Sequence, residues 1–94
     1  MSTRAPRFPA DYPVVIRADG ELYASTICNI SVGGACLLGI DWASNGTVMV
    51  IDYALGQTRA TVTWTTGKMA GVKFEDMLSD ACVQSIRTPE RHAS

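Results

Sequence analysis

Ninety-four residues, 47% of them hydrophobic, are enough for one domain around one core. Eight Lys and Arg against nine Asp and Glu leave a formal net charge of -1, so no global field draws in a long polyanion and a nucleic-acid polymer is excluded as a general partner. No apolar run approaches the roughly 20 residues of a membrane-spanning helix and no apolar leader-like stretch stands at the N-terminus, so the expectation is a soluble, cytoplasmic protein without membrane insertion.

The chain opens with Thr3-Arg4-Ala5-Pro6-Arg7-Phe8-Pro9, two arginines in a proline-pinned stretch, and residues 1–12 are expected to form a flexible arm. Residues 12–18 are a short apolar run ahead of Asp19-Gly20, a dipeptide that favours a type I′ hairpin turn, so the first two strands should pair there. Over residues 21–30 alternation sets Leu22, Ala24, Thr26, Cys28 and Ile30 on one face and Tyr23, Ser25, Ile27 and Asn29 on the other. With the first set inward, Asn29 faces outward. Asn29-Ile30-Ser31-Val32-Gly33-Gly34 then interrupts the strand pattern with two short polar side chains and a glycine pair, a small polar shelf at a strand end. Gly33-Gly34 marks a tight turn or bulge. Taken alone, such a run is also an ordinary turn, because Asn, Ser and Gly are turn formers. Residues 35–38 resume the sheet, and residues 41–46, with Trp42 and Ser44-Asn45-Gly46, read as a polar loop.

The second half alternates more clearly. Residues 47–54 are a β-rich run, Leu55-Gly56-Gln57 turns the chain, and residues 58–66 set Ala60, Val62 and Trp64 opposite Arg59, Thr61, Thr63 and Thr65. Trp64 is therefore expected in the core. After Gly67-Lys68, residues 69–75 place Ala70, Val72 and Phe74 on one side and Met69, Gly71 and Lys73 on the other, with Lys73 and Arg59 as ordinary outward charges. From residue 76 the period becomes helical through Leu78, Cys82, Ser85 and Ile86, with Asp76 or Ser79 as N-cap and an end before Pro89. Six antiparallel strands and one amphipathic helix predict a small barrel over residues 13–88, the helix packed on it or covering one end, and a frayed tail over residues 89–94.

Three cysteines, Cys28, Cys36 and Cys82, are an odd number without a C-x-x-C pair, and the single histidine, His92, lies in the polar tail. Neither a disulfide framework nor a zinc site is expected, and the cysteines read as small buried apolar residues. A Cys28 nucleophile would lack a base, so no catalytic residue is assigned and no enzyme is expected.

In order and spacing these pieces resemble a PilZ domain over nearly the whole chain. The resemblance is carried by the arginine arm, by Asn29-x-Ser31-x-x-Gly34, by the Trp64 strand, and by Gly71-Val72-Lys73-Phe74, which is similar to the Gly-hydrophobic-x-Phe ending of the last family strand. It implies a mainly all-β fold, a six-stranded antiparallel β-barrel with a C-terminal α-helix. It also implies a bacterial, stand-alone receptor for the second messenger cyclic diguanylate (c-di-GMP) that relays the signal by a conformational change to a partner protein. Of the two family motifs, [D/N]-x-S-x-x-G matches fully, whereas R-x-x-x-R does not: four residues before Arg7 stands Thr3, with the other arginine at position 4. That departure keeps a second reading, a degenerate PilZ-like protein–protein adaptor with weak or no nucleotide binding.

The ligand residues that the resemblance implies are Arg4, Arg7, Asn29, Ser31, Gly33 and Gly34, with no cofactor and no metal. Arginine offers a planar fork for guanine O6 and N7, a face for stacking and a permanent charge for phosphate. Asn29 can accept and donate against a guanine edge, and Ser31 adds a small hydroxyl. Gly33 and Gly34 would leave room for the ligand to approach the backbone.

Overall fold

Asp19 (φ 51°) and Gly20 (φ 77°) both lie in the left-handed region that a type I′ turn requires, and they fold β1 (Phe8–Ala18) back onto β2 (Glu21–Ser31). The computed structural model describes residues 6–88. Beyond this hairpin come β3 (Gly34–Leu38), β4 (Val48–Tyr53), β5 (Gly56–Thr66), β6 (Met69–Phe74) and α1 (Asp80–Ile86). The strands close in the order β1-β2-β3-β6-β5-β4, with every neighbouring pair antiparallel, so no ladder is left without a partner on either side. Among the described residues no helix is long and apolar enough to cross a membrane.

Inward-facing side chains fill the barrel. Ile16, Ile27, Ile30, Leu37, Met49, Ile51, Val62 and Val72 are buried, and each large aliphatic side chain there stabilises the fold by about 1.5–3 kcal/mol through lost water contact. The alternation expected for residues 58–63 and 69–75 is present, with Ala60, Val62, Ala70, Val72 and Phe74 inside.

Three expectations are corrected. Pairing starts at Phe8, opposite Ile30, so the second half of the arm expected over residues 1–12 is already strand. In β2 the inward face begins with Tyr23, Ser25 and Ile27, not with Leu22, Ala24 and Thr26. Leu22 is 64% exposed, and the Ser25 hydroxyl is accommodated inside by donating to the Leu38 carbonyl at 2.7 Å. One extra residue at Cys28, between the pairs Ile27–Leu37 and Asn29–Cys36, switches the parity so that Ile30 is nevertheless buried and Asn29 faces out. Trp64 is not core. A second bulge at Thr63, between the pairs Val62–Val72 and Trp64–Gly71, turns the indole to the outer face, where it is 39% exposed.

Ser79 caps α1, its hydroxyl accepting from the Cys82 amide at 3.1 Å, and Arg87 ends the helix. Cys82, Val83 and Ile86 enter the core, so the helix packs across the barrel end where β1 starts and β2 finishes. The chain leaving it lies along β1: Ala10 bridges Arg87, the Thr88 amide donates to the Pro9 carbonyl at 2.9 Å, and the Arg87 guanidinium sits 4.0 Å from the centre of the Phe8 ring. In the 39–47 loop, Trp42 stacks on Tyr23 at 4.1 Å and packs against the core from the other side.

Candidate functional site

The two bulges decide which side chains share the outer surface. Directly opposed residues point to the same face of a sheet, so Pro9, Asn29, Cys36, Gly71 and Trp64 form one outer row across five strands. Beside it runs a second outer row of Ser31, Gly34, Lys73, Thr61 and Val48. Continuing the Phe8–Ile30 register by one residue brings Arg7 beside Ser31, and the Arg7 Nη1 donates to Asn29 Oδ1 at 2.8 Å. The guanidinium, the carboxamide and the hydroxyl-bearing turn thus occupy one corner of the barrel rim.

Ser31 is 5% exposed and its Oγ donates to the Gly34 carbonyl at 3.3 Å, which ties the two ends of the β2–β3 turn together and leaves the lone pairs of the hydroxyl as acceptor. The turn is held from the other side as well. The Phe74 amide donates to the Gly33 carbonyl at 2.9 Å and the Leu78 amide to the Val32 carbonyl at 2.8 Å.

The two glycines differ. A Cβ on Gly34 would run into the Val72 carbonyl oxygen, so this position is glycine because β6 passes against it, a packing reason that stands apart from any ligand. A Cβ on Gly33 would meet nothing within 4 Å, so the space above it is open. Arg4 lies outside the described residues.

Several surrounding residues were missed by sequence reasoning. A Cβ at Gly71 would strike the Trp64 indole, so that ring lies against the Gly71 backbone and offers its other face outward, on the same row as Asn29. The signal available in the sequence was the cross-strand pairing of an aromatic with a glycine, which shields the bare backbone. Lys73 and Arg59, read as ordinary outward charges, line a groove of about 400 Å³ with Val48, Thr61, Thr63, Phe74 and Glu75, which carries on from the second row. Cys28 and Cys36 meet under the corner: Cys28 Sγ donates to the Cys36 carbonyl at 3.5 Å. Burial, then the hydrogen bond to the Cys28 thiol and its charge, push the Cys36 thiol up to about 12, while the Arg7 guanidinium pulls the other way. Among the described residues no group of three or more His, Cys, Asp or Glu side chains could hold a metal ion.

A cationic fork on a carboxamide, an acceptor hydroxyl, open space over a glycine and an outward aromatic face make a surface suited to a flat, anionic, hydrogen-bonding ligand. No curated protein matches the chain. The family model described as PilZ domain matches residues 2–88, from before the two arginines to past the helix, and the chain therefore belongs to the PilZ domain family.

Proposed function

We propose that the chain is a stand-alone receptor for cyclic diguanylate, and that Arg7, Asn29 and Ser31 read one guanine and its phosphate at the rim of the barrel. Arg4 would supply the second guanidinium, and Gly33 the clearance. PilZ domains are generally receptors for this nucleotide rather than enzymes, which supports the class of ligand. The observation that carries the assignment to this corner is the 2.8 Å hydrogen bond from Arg7 to Asn29: the guanidinium already stands on the residue it would work with. Because β1 is paired from Phe8 onward, Arg7 hangs from an ordered strand. Less conformational entropy is then lost on binding than a fully free arm would lose, about 1–2 kcal/mol per backbone residue fixed. Closure of Arg7 on the nucleotide would exchange its bond to Asn29 for bonds to the ligand. The rim so altered is what a partner protein would engage or release.

Calorimetric titration tests this directly. Arg7→Ala should lose about 1.5–3 kcal/mol of binding, the scale of a charge-assisted hydrogen bond, and Ser31→Ala about 0.5–1.5 kcal/mol, with both barrels still folded by circular dichroism. The adaptor reading has its own support, Thr3 where the family motif has arginine. It takes over if the unmodified protein gives neither heat nor a shift in melting temperature at high micromolar cyclic diguanylate.

A further inference from the structure

The bulge that turns Asn29 outward also sets two thiols against each other. Cys28 is the extra residue of β2, so Cys28 and Asn29 together oppose the single residue Cys36 of β3. Asn29 is the registered partner of Cys36 and Cys28 is its chain neighbour in the bulge, so the two cysteines lie at one level of adjacent strands with their thiols near enough to hydrogen-bond. Both cysteines are free thiols, and the Cys28 Sγ rests 3.5 Å from the Cys36 carbonyl oxygen. We propose that Cys28 and Cys36 form a peroxide-sensitive dithiol that closes to an intramolecular disulfide and thereby changes the nucleotide surface at Asn29.

The two sulfurs are unequal, and this orders the chemistry. Cys36 is 1% exposed and its thiol holds its proton strongly because it is buried, whereas Cys28 is only partly buried and lies toward the surface. Cys28 therefore reacts first. Its thiolate attacks one oxygen of hydrogen peroxide, the O–O bond breaks, and the second oxygen leaves as hydroxide that takes up the proton the thiol released and becomes water, which gives the sulfenic acid on Cys28. The Cys36 sulfur then attacks the Cys28 sulfur, the S–S bond forms, the S–O bond breaks and a second water leaves. Two thiols have lost two electrons and two protons, and one peroxide has become two waters. Scarcity of Cys36 thiolate makes the second step the slow one, so the sulfenic acid accumulates transiently.

Closing the bond replaces the hydrogen bond from Cys28 to the Cys36 carbonyl and fixes the bulge from which Asn29 projects. The Arg7 guanidinium lies close enough to act on Cys36 and is bonded to Asn29, so the thiol pair and the nucleotide corner share one cation. Any influence of disulfide state on ligand affinity is matched by an equal influence of ligand on the disulfide equilibrium. This coupling rests on the proposed function; the disulfide itself does not.

The full chain is treated with hydrogen peroxide, followed by intact mass and peptide mapping, with dimedone as a trap for sulfenic acid. Expected are loss of two hydrogens, a Cys28–Cys36 peptide that dithiothreitol reverses, and a dimedone adduct at early times on Cys28. Cys28→Ser should abolish the cross-link, Cys36→Ser should leave a persistent adduct on Cys28, and Cys82→Ser should behave as the parent. A cross-link that requires Cys82, or oxidation of Cys28 to sulfinic acid with Cys36 still reduced, overturns the proposal. Titration with cyclic diguanylate should then show affinity at least about fivefold weaker in the oxidised protein. Equal affinity in both states removes the coupling, and absence of binding by the reduced protein refutes the receptor reading while leaving the disulfide result intact.

Discussion

Adjacent glycines in one turn separate what the fold needs from what a ligand needs. At Gly34 the obstacle is the Val72 carbonyl, backbone that moves only if β6 moves, so Gly34→Ala should destabilise the barrel by about 1–3 kcal/mol, measured by urea denaturation. At Gly33 the space is empty, and its φ is one that any residue can adopt. Gly33→Leu should leave the urea midpoint within experimental error of the parent and still weaken cyclic diguanylate, because the new side chain fills the clearance beside Asn29 and Ser31. Undiminished affinity in that variant would remove Gly33 from the binding surface. Ser31 is intermediate between these cases: its hydroxyl holds the turn through Gly34 and presents lone pairs to the rim, so Ser31→Ala is expected to register in both measurements.

At the level of strands and helix, the sequence was legible wherever alternation ran without interruption. The Asp19-Gly20 turn, the strands from β3 onward and a helix cap at Asp76 or Ser79, of which the fold uses Ser79, could be read from residue order, because each depends on local chemistry or on a period of two; Asn29 faces out as expected only because the bulge at Cys28 reverses a face assignment that was itself inverted. The bulges at Cys28 and Thr63 could not be read, since an inserted residue reverses parity and leaves no mark in composition. Alternation alone therefore puts Leu22 inside, Ile27 outside and Trp64 in the core, whereas Leu22 is exposed, Ile27 is buried and Trp64 lies on Gly71. The closeness of Arg7 to Asn29 depends on the register of β1 against β2, which the Asp19-Gly20 turn fixes at the hairpin, while an irregularity between Pro9 and Tyr12 resets it near the site. The pairing of the segment after α1 with β1 is a long-range contact that no local pattern encodes, and it bears on the position of Arg7. The Arg87 guanidinium over Phe8 pins the residue next to Arg7. Arg87→Ala should cost about 0.5–1 kcal/mol of stability and weaken nucleotide binding. Ser79→Ala, which costs about 1 kcal/mol by removing the helix cap, should leave binding nearly unchanged. Equal binding losses in the two variants would show that general stability, not the position of Phe8, governs the site.

Across the whole barrel, two partly buried contacts tie stability to alkaline pH. Cys36, beside the corner proposed to take the nucleotide, is pushed from 9.0 up to about 12 by burial first and by the Cys28 thiol second. Tyr53, at the end covered by the helix, is pushed from 10.0 to about 12, first by its hydrogen bond with Cys82 and then by burial. In both cases the folded state keeps a proton that the unfolded chain gives up earlier, so the unfolded state binds fewer protons as pH rises past 9 and stability falls with pH from there toward 12. Below about pH 9 neither group contributes any slope. Urea midpoints measured from about pH 8 to about pH 11 should therefore be level and then decline. Cys36→Ala and Tyr53→Phe should each flatten part of that decline. Their effects should add, because the two groups sit in separate contacts with different cysteines. The disulfide proposed for Cys28 and Cys36 would consume the Cys36 thiol, so peroxide-treated protein should lose the Cys36 share of the decline and keep the Tyr53 share. A midpoint that stays level in the untreated protein through about pH 11 would mean that neither proton is held more tightly in the fold than in the open chain.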